Sequence, residues 1–576
     1  MHLDGTTGAG TPPNHGNPSE TGGQMPFTFN QVGVSEVKKA ILAMRSTGSC
    51  GVDGVPITIL KQGLPALALP LTHLTNKVIE SSVWPAQWKY ARVVPILKPG
   101  KKPSEVSSYC PVSLLPAVSK LVEKVLQAQL SAYVEENKIL PPEQHGFRSG
   151  RSVDTALATV TSQLAAAKEN KDERAVLAAF DFSAAFDTLD HDLLIRKMNF
   201  LSQSSATLLK NYLADRWQKV CWNDSESDLQ HVPFGVPQGS VLGPLLFILL
   251  TSDLPAKLAQ SGLSRVKPSL FADDTSCNAV AKTTDEAKTS ISKASDVISG
   301  YSLSNRLSLN PGKTQVLYLQ GTPAEAQTSP HGSVKLLGVL LDSKLSFREH
   351  HSSVLSDIIA RTAIIRRLRT SVSRGALLKN VAWALVIGKL QCSAWVTRKV
   401  RLASNETVTA EAAETQIAIN DLARVLLGLR RAQHVRVEDL MAKSGLPTVN
   451  QLVVQQSAVA AWRALRGGSP LSGLFSSFDS RTRGATQELV KATASTCVAV
   501  SNMAQVWNAF PELREASSLT LAKSRAKQLA LNCRFFRKSF VFITLKAGPF
   551  GAVFGGVLPF FQLPQMFIWL QLPAWR

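Results

Sequence analysis

Apolar residues recur along this chain at two spacings, which separate the predicted helices from the predicted strands. In SKLVEKVLQAQLSAYVEE (119–136), Leu121, Val125, Leu126 and Leu130 fall on one face of a helix. The same type of periodicity predicts helices over residues 57–80 and 285–307, and over most of 350–470.

Short apolar runs between turn residues predict strands. AVLAAFDF (175–182) is one such run, and it ends at Asp181. SLFADDTSCNAV (269–280) contains two runs separated by Asp273 and Asp274, which is the pattern of a hairpin. Further strands are predicted at 91–98, between about 215 and 235, in LSLNPGKTQVLYL and at 334–342. Helices mixed with antiparallel strands predict an α+β fold.

Charge indicates the class of partner. Lys and Arg number 63 against 42 Asp and Glu, so the 576-residue chain has a net charge of +21. Such an excess suits a polyanion, either nucleic acid or an anionic membrane surface. The seven cysteines include no Cys-x-x-Cys pair, so we expect no structural zinc and reduced, intracellular thiols.

The two ends of the chain differ from the rest. Residues 1–26 are rich in Gly, Pro, Thr and Asn without an apolar core, which predicts a disordered tail, not a signal peptide. Residues 547–575 carry no charge and are long enough for a membrane span. Repeated prolines interrupt this stretch, so a poorly structured tail is favoured and a membrane partner is not expected.

Carboxylates supply the candidate chemistry. Asp181 follows an apolar strand, where a charge is costly unless it is paired or metal-bound. Asp273 and Asp274 are adjacent in a tight turn, where they repel each other unless a cation lies between them. Oxygen ligands of this kind suit Mg²⁺, and two such ions would serve phosphoryl transfer. Taken alone, the Asp pair is more simply a solvated turn and Asp181 a helix cap.

The order of the motifs favours the chemical interpretation. Seven segments occur in sequence: SYCPVSLLP (108–116), EQHGFRSGRS (143–152), AAFDFSAAFDTLDH (178–191), GVPQGSVLGPLLF (235–247), FADD (271–274), LSLNPGKT (307–314) and LLGVLLD (336–342). This series resembles the reverse transcriptase of jockey-type non-LTR retrotransposons. The resemblance covers roughly residues 30–345, with a helical continuation to about 470.

The resemblance implies a right-hand polymerase. Fingers at 27–165 and a palm with an antiparallel sheet at 166–345 would be followed by a helical thumb-like region at 346–470. Residues 471–576 would form a C-terminal region of unknown role. The implied activity is RNA-directed DNA synthesis from dNTPs, with two Mg²⁺, an RNA template and a DNA primer. We expect a chain truncated before its endonuclease domain, located in the nucleus or cytoplasm, and infer no protein partner.

The resemblance also assigns roles to individual residues. Asp181, Asp273 and Asp274 match the metal-binding catalytic aspartates. Five residues match nucleotide-binding positions, namely Lys98, Phe186, Gln238, Gly239 and Lys313. Three match template or primer contacts, namely Arg148, Leu337 and Gly338. Phe186 would act as the steric gate against ribonucleotides, and Lys313 would neutralise or protonate pyrophosphate. Phe186 could equally be a core aromatic residue and Lys313 a solvated turn lysine.

One residue departs from the family pattern. The family has Ser-Tyr-Arg-Pro-Ile-Ser where this chain has Ser-Tyr-Cys-Pro-Val-Ser, with Cys110 replacing the arginine. An arginine there would contact the triphosphate through two hydrogen bonds, which cysteine cannot supply. An alternative function is therefore a catalytically impaired, element-derived protein that still binds nucleic acid. A third is a cellular relative such as an intron maturase or telomerase.

Overall fold

A computed structural model describes residues 25–98, 100–183, 186–319, 330–372, 375–402, 406–466, 469–482 and 485–532. The uncharged segment at 547–575, and all but the last two residues of the predicted N-terminal tail, lie outside these ranges. No helix of the described residues combines the length and apolar character needed to cross a lipid bilayer.

Ten helices precede residue 305 within the described residues. They are α1 (Val34–Ala43), α2 (Ile57–Gln62), α3 (Leu64–Ser81), α4 (Ala117–Glu136), α5 (Val153–Glu169), α6 (His191–Lys197), α7 (Gln203–Leu213), α8 (Gly243–Leu250), α9 (Leu254–Gln260) and α10 (Thr284–Ser304). The helices predicted over 57–80, 119–136 and 285–307 are confirmed, the first of them as two helices separated by Gly63.

The described part of the chain beyond residue 345 is mainly helical, as predicted for 350–470. Its helices are α11 (Arg348–Ser371), α12 (Gly375–Ala382), α13 (Gly388–Gln391), α14 (Ala394–Thr397), α15 (Ala410–Leu427), α16 (Val437–Ser444), α17 (Val449–Arg466), α18 (Val498–Ala509), α19 (Pro511–Arg514) and α20 (Leu519–Asn532). A π-helical turn over Trp383–Ile387 connects α12 to α13.

The strands form two sheets and two separate hairpins. In chain order they are β1 (Tyr90–Leu97), β2 (Tyr109–Leu114), β3 (Arg174–Ser183), β4 (Arg216–Trp222), β5 (Ser225–Glu226), β6 (Gln230–Val232), β7 (Val266–Phe271), β8 (Asp274–Ala281), β9 (Ser308–Leu309), β10 (Gln315–Leu319), β11 (Ser333–Leu336), β12 (Val339–Asp342), β13 (Phe475–Thr482) and β14 (Ala485–Ala492). The predicted strands at 91–98, 175–182 and 334–342 and the FADD hairpin are all confirmed.

The N-terminal sheet has the order β2-β1-β4-β5, with β6 also paired to β4. Strands β1 and β4 run parallel, and the other pairs are antiparallel. The central sheet has the order β10-β3-β8-β7, with β9 on the end of β3, and all of its pairs are antiparallel. Strands β11–β12 and β13–β14 form the two hairpins.

Strand β3 lies between two hydrophobic cores. Val176 and Ala178 belong to a core that also contains apolar residues of α4, α7, α8 and α10. Ala175 and Leu177, on the opposite face of the strand, belong to a second core with residues of α5, α17, α18 and α20. Burial on both faces explains why the run AVLAAF is continuously apolar and does not alternate.

The described residues after 470 carried no motif, yet they complete the second core. Val490 of β14, Val500 of α18 and Ala526 of α20 are buried there together with Val454 of α17. The packing is therefore continuous across residue 470, where the sequence pattern suggested a change of region.

A buried carboxylate on α4 connects the first core to the loop before α8. Glu123 is fully buried. Its oxygens accept hydrogen bonds from Ser119 Oγ at 3.2 Å and Tyr212 OH at 3.2 Å, and from the backbone N–H groups of Val241 at 2.7 Å and Leu242 at 3.2 Å. A negative group at the start of α8 also interacts favourably with the helix dipole. Glu123 therefore fixes where this loop enters α8.

We predict that Glu123→Gln lowers the free energy of unfolding by about 1–2 kcal/mol, because a neutral amide oxygen is a weaker acceptor than a carboxylate oxygen for the donors of Tyr212, Val241 and Leu242. Urea denaturation measures this change. Glu136→Gln is the matched control, since Glu136 lies on the exposed side of the same helix, and its effect should stay within about 0.5 kcal/mol. Equal effects of the two substitutions would contradict the role given to Glu123.

Candidate active site

The central sheet brings Asp181 to the adjacent pair Asp273 and Asp274, which lies far along the chain. Asp181 near the end of β3 is the direct cross-strand partner of Asp274, the first residue of β8. Asp274 also pairs with Phe271, so a two-residue turn, Ala272-Asp273, closes the hairpin. The antiparallel register therefore places Asp181 opposite Asp274 and close to Asp273, the residue before it.

The electrostatics of this corner are unfavourable without a cation. Burial, followed by the charges of Asp274 and then Asp181, holds the pKa of Asp273 well above its ordinary value. Burial and the charge of Asp181 raise the pKa of Asp274 to about 6. The Oδ1 atom of Asp273 is shielded from solvent and has no hydrogen-bond partner. A buried acceptor that lacks a donor and lies near like charges is a position where a cation would be stabilising.

Lys313 provides the positive charge at this corner. Its Nζ lies 2.8 Å from Asp181 Oδ2. The lysine is on the short helical turn Pro311–Lys313 just before β10, and the carbonyl of Asp181 accepts from the N–H of Asn310 at 2.9 Å. The LSLNPGKT segment is thus attached to the end of β3, where its lysine neutralises part of the acidic charge.

The three aspartates are of the chemical type that binds a hard divalent cation, although their side chains are not arranged as a metal-binding group. Carboxylate oxygens are the ligands that Mg²⁺ prefers, and Asp273 Oδ1 is unpaired. Across the described ranges, however, no group of three or more His, Cys, Asp or Glu side chains is arranged so that it could hold a metal ion. Asp181 is paired with Lys313 through Oδ2, so a shared metal would be met by Oδ1 or would displace the lysine.

The GVPQGS loop (235–240) bridges the segment after β3 and the strand β2. On one side the N–H of Val236 donates to the carbonyl of Phe186 at 2.8 Å. On the other, the N–H of Ser113 donates to the carbonyl of Gln238 at 2.7 Å. Gly239 has φ +119°, and a Cβ there would lie 2.7 Å from Ser113 O. Only glycine allows the loop to approach β2 this closely.

Phe186 contacts one end of this loop, and Gln238 is the loop residue that bonds to β2. The half-buried ring of Phe186 packs against Phe247 of α8, with ring centroids 4.9 Å apart. Gln238 Nε2 lies 3.5 Å from the Sγ atom of Cys110 on β2. The two predicted nucleotide-binding residues and the residue that departs from the family pattern are therefore linked through one loop.

Lys98 immediately follows β1 of the N-terminal sheet. Its Nζ donates to Ser107 O at 2.9 Å, and its backbone N–H donates to Ser108 O at 2.8 Å. Its neighbour Leu97 pairs with Tyr109, one residue before Cys110. Lys98 is therefore on the same β1–β2 hairpin as Cys110.

Arg148 is bound within the protein. Its guanidinium donates to both carboxylate oxygens of Glu135, at 2.6 and 2.8 Å, and to Pro141 O at 2.7 Å. Its side chain is only 6% exposed. Arg148 holds the pKa of Glu135 below its ordinary value, mainly through these hydrogen bonds. A template contact, as the family resemblance implied, would require Arg148 to give up these bonds.

Leu337 and Gly338 form the turn of the β11–β12 hairpin. Both have positive φ, +47° and +85°, as a tight two-residue hairpin turn requires. Leu337 packs against the second core. The hairpin adjoins β10, where Gln315 Oε1 accepts from the N–H of Lys335 at 3.0 Å. It thus lies next to the edge strand of the central sheet.

Sequence reasoning missed the residue that fixes the GVPQGS loop. Glu123 lies between Val122 and Val125 on the buried side of α4. It accepts hydrogen bonds from the N–H groups of the two residues just before α8. The available signal was a carboxylate on the apolar face of an amphipathic helix, where charge is rare unless it is satisfied.

Comparisons with known proteins show which proteins this chain resembles. Residues 96–341 match the family described as reverse transcriptase (RNA-dependent DNA polymerase). The probable RNA-directed DNA polymerase from transposon BS of Drosophila melanogaster is 33% identical over 345 residues, covering 58% of this chain and 38% of that protein. The polymerase from mobile element jockey of Drosophila funebris is 29% identical, covering 58% and 37%. The chain therefore aligns with less than two-fifths of either relative.

A solved structure also overlaps the chain. It is an apo telomerase from Candida tropicalis, truncated from its C-terminal domain. The alignment covers 48% of this chain and 59% of the telomerase chain, with 14% sequence identity. The TM-score is 0.32, which is too low to bear on the fold.

The raised pKa of Asp274 predicts a stability that depends on pH in chelator-treated protein. The folded chain binds this proton more tightly than the unfolded chain, so the stabilisation is complete below pH 3.8 and is lost as the pH approaches about 6. After solvent screening, the loss should be roughly 1–2 kcal/mol. Asp274→Asn should reduce this dependence in urea denaturation at a series of pH values, and Asp273, whose pKa is also raised, should still contribute to it.

The exposed Asp296 of α10 provides the matched control for this experiment. Asp296→Asn should leave the wild-type pH dependence unchanged. If Asp274→Asn leaves it unchanged as well, burial and the charge of Asp181 do not raise the pKa of Asp274.

Proposed function

We propose that this chain, whose residues 96–341 match the reverse transcriptase family, is an RNA-directed DNA polymerase of the jockey-like non-LTR type. It would extend a primer 3′-OH with dNTPs on an RNA template. The observation that carries the proposal is the cross-strand pairing of Asp181 with Asp274, next to Asp273. Under this proposal the central sheet is the palm, the N-terminal sheet belongs to the fingers and α11–α17 form the thumb-like region.

The proposed chemistry uses the acidic corner and its lysine. Two Mg²⁺ ions held by Asp181, Asp273 and Asp274 would activate the primer hydroxyl and neutralise charge on the leaving pyrophosphate. Lys313, now 2.8 Å from Asp181, would move its ammonium group to the pyrophosphate oxygens and neutralise or protonate them. The raised pKa of Asp274 means that the corner releases protons when a divalent cation binds.

Nucleotide selection is assigned to the GVPQGS loop and its neighbours. Phe186, supported from behind by Phe247, would place its ring under the sugar and leave no space for a 2′-OH. Gln238 and Gly239 would lie along the incoming nucleotide, on a loop that is held against Ser113 of β2. Lys98 would contribute charge for the triphosphate from the β1–β2 hairpin.

Template and primer binding is assigned to the helices after the central sheet. Arg366, Arg367 and Arg369 are exposed on α11, where they could contact the phosphates of a duplex. Arg398 is buried and donates to Thr415 Oγ1 at 3.0 Å, so it supports the helices instead of meeting a ligand. Leu337 and Gly338 would contact the primer end.

Primer extension on an RNA template with Mg²⁺ tests this function. We predict that Asp273→Asn lowers the rate by about 1,000-fold or more, because the carboxylate ligand is lost while the fold is kept. Asp285→Asn is the matched control, since Asp285 is 90% exposed at the start of α10, and it should extend primers at the wild-type rate. Wild-type activity in the Asp273 variant would rule out the proposed catalytic role.

A second candidate function is nucleic-acid binding with impaired catalysis. Cys110 motivates this alternative, because it contacts Gln238 at the position where the family pattern has arginine. The aspartates and Lys313 would be retained while the nucleotide is held weakly.

Substitution of Cys110 separates these two candidates. Cys110→Arg should lower the KM for dNTPs by about tenfold, since a charge-assisted hydrogen bond to the triphosphate contributes roughly 1.5–3 kcal/mol. Cys110→Ser keeps the size and lacks the charge, so its KM should match wild type. Steady-state extension kinetics give both values. If the arginine variant does not differ from the serine variant, the missing arginine does not limit this protein.

A further inference from the structure

The EQHGFRSGRS segment continues the central sheet beyond its edge strand. The N–H of His145 donates to Leu270 O at 2.7 Å, and the N–H of Leu270 donates to Glu143 O at 3.0 Å. Gln144 and Leu270 thereby form a parallel bridge beside β7. Residues 143–146 therefore lie directly against the strand that leads into the FADD turn.

Within this segment, the side chain of Gln144 reaches the turn itself. Gln144 is 1% exposed. Its Oε1 accepts from the N–H of Gly146 at 2.8 Å and from the N–H of Ala272 at 3.2 Å. Ala272 is the residue immediately before Asp273. A single buried carboxamide thus joins the 143–146 segment to the backbone of the acidic turn.

The turn needs such support because of its backbone conformation. Ala272 has φ +58°, in the left-handed region that disfavours residues with a Cβ by about 1–2 kcal/mol. A hairpin turn with positive φ at its first central position normally has glycine there. Alanine would favour relaxation of this turn, and Asp273 and Asp274 would move with it.

Gly146 provides independent evidence for the same contact. A Cβ at Gly146 would lie 2.5 Å from the backbone N of Ala272 and 3.1 Å from Gln144 Oε1. The absence of a side chain here lets the two backbones meet across the carboxamide. The backbones of the 143–146 segment and the turn are therefore closer together than any larger residue at position 146 would permit.

We propose that Gln144 is a positioning residue, which holds the Ala272-Asp273 turn so that Asp273 and Asp274 present their carboxylates together for divalent-cation binding. The inference rests on the proposed function for the use of that cation. Gln144 itself contacts neither substrate nor metal, and its role is to satisfy the N–H of Ala272. Groups that orient metal ligands without contacting the metal typically alter metal affinity by about 10–100-fold.

Binding of Mn²⁺, a paramagnetic substitute for Mg²⁺, tests the proposal without turnover. In titrations of the full chain followed by electron paramagnetic resonance, Gln144→Leu should raise the Mn²⁺ Kd by about tenfold or more. Amide hydrogen exchange of a peptide spanning 268–276 should also become faster, because the N–H of Ala272 loses its acceptor. An unchanged Kd in Gln144→Leu overturns the proposal.

Two further variants exclude a general loss of structure. Gln144→Glu keeps an acceptor oxygen for both N–H groups, so its Kd should lie nearer to wild type than to Gln144→Leu. Gln416→Leu is the matched control, because Gln416 is also buried and its Oε1 accepts from the N–H of Val449 at 2.8 Å, far along the chain on α15. A Kd in Gln416→Leu raised as much as in Gln144→Leu overturns the proposal.

The design separates this inference from the polymerase proposal. A wild-type chain that binds Mn²⁺ but does not extend primers would contradict the polymerase function and leave the role of Gln144 testable by Kd. Extension by wild type together with unchanged Mn²⁺ affinity in both Gln144 variants would contradict only the positioning role. Should Gln144→Leu fail to fold, the comparison of Gln144→Glu with the shorter Gln144→Asn decides, and equal Kd values there overturn the proposal.

Discussion

Repulsion among three carboxylates at one corner of the central sheet is the constraint on which the rest of the site depends. Asp181 and Asp274 are paired across β3 and β8, and Asp273 precedes Asp274 in the turn. Because β3 is buried on both faces, this register cannot shift without moving the residues of two cores. The fold therefore holds the carboxylates near one another even though their mutual charge, together with burial, opposes ionisation.

Polar side chains contact the acidic corner and the loops around it. Lys313 pairs with Asp181, and Gln144 accepts from the turn at Ala272. Glu123 does the same for the start of α8, beyond the GVPQGS loop. In each case a side chain distant in the sequence fixes a segment whose conformation is not determined by the residues of that segment alone. The hydrophobic cores make the structure rigid, and these few contacts fix the positions of the loops that would bind a nucleotide.

Positive charge is divided between structural and accessible roles. The side chains of Arg148 and Arg398 are buried, and both form hydrogen bonds within the protein. Arg366 and Arg367 remain exposed on α11. The net charge of +21 alone does not distinguish these two populations, since burial depends on how the helices pack. Only the exposed group is suited to long-range attraction of a polyanion.

The sequence by itself determined the strand 175–182, the FADD hairpin and the long helix at 119–136, because hydrophobic periodicity and turn residues act over a few neighbouring positions. The order of the motifs also predicted that Asp181 would meet Asp273 and Asp274. Tertiary structure alone decided that Lys313 pairs with Asp181, that Arg148 is taken up by Glu135 and that β14 and α18 complete the second core. These contacts join residues distant in the chain, and their formation depends on which groups the packed cores leave close enough to bond, which no local pattern of residues encodes.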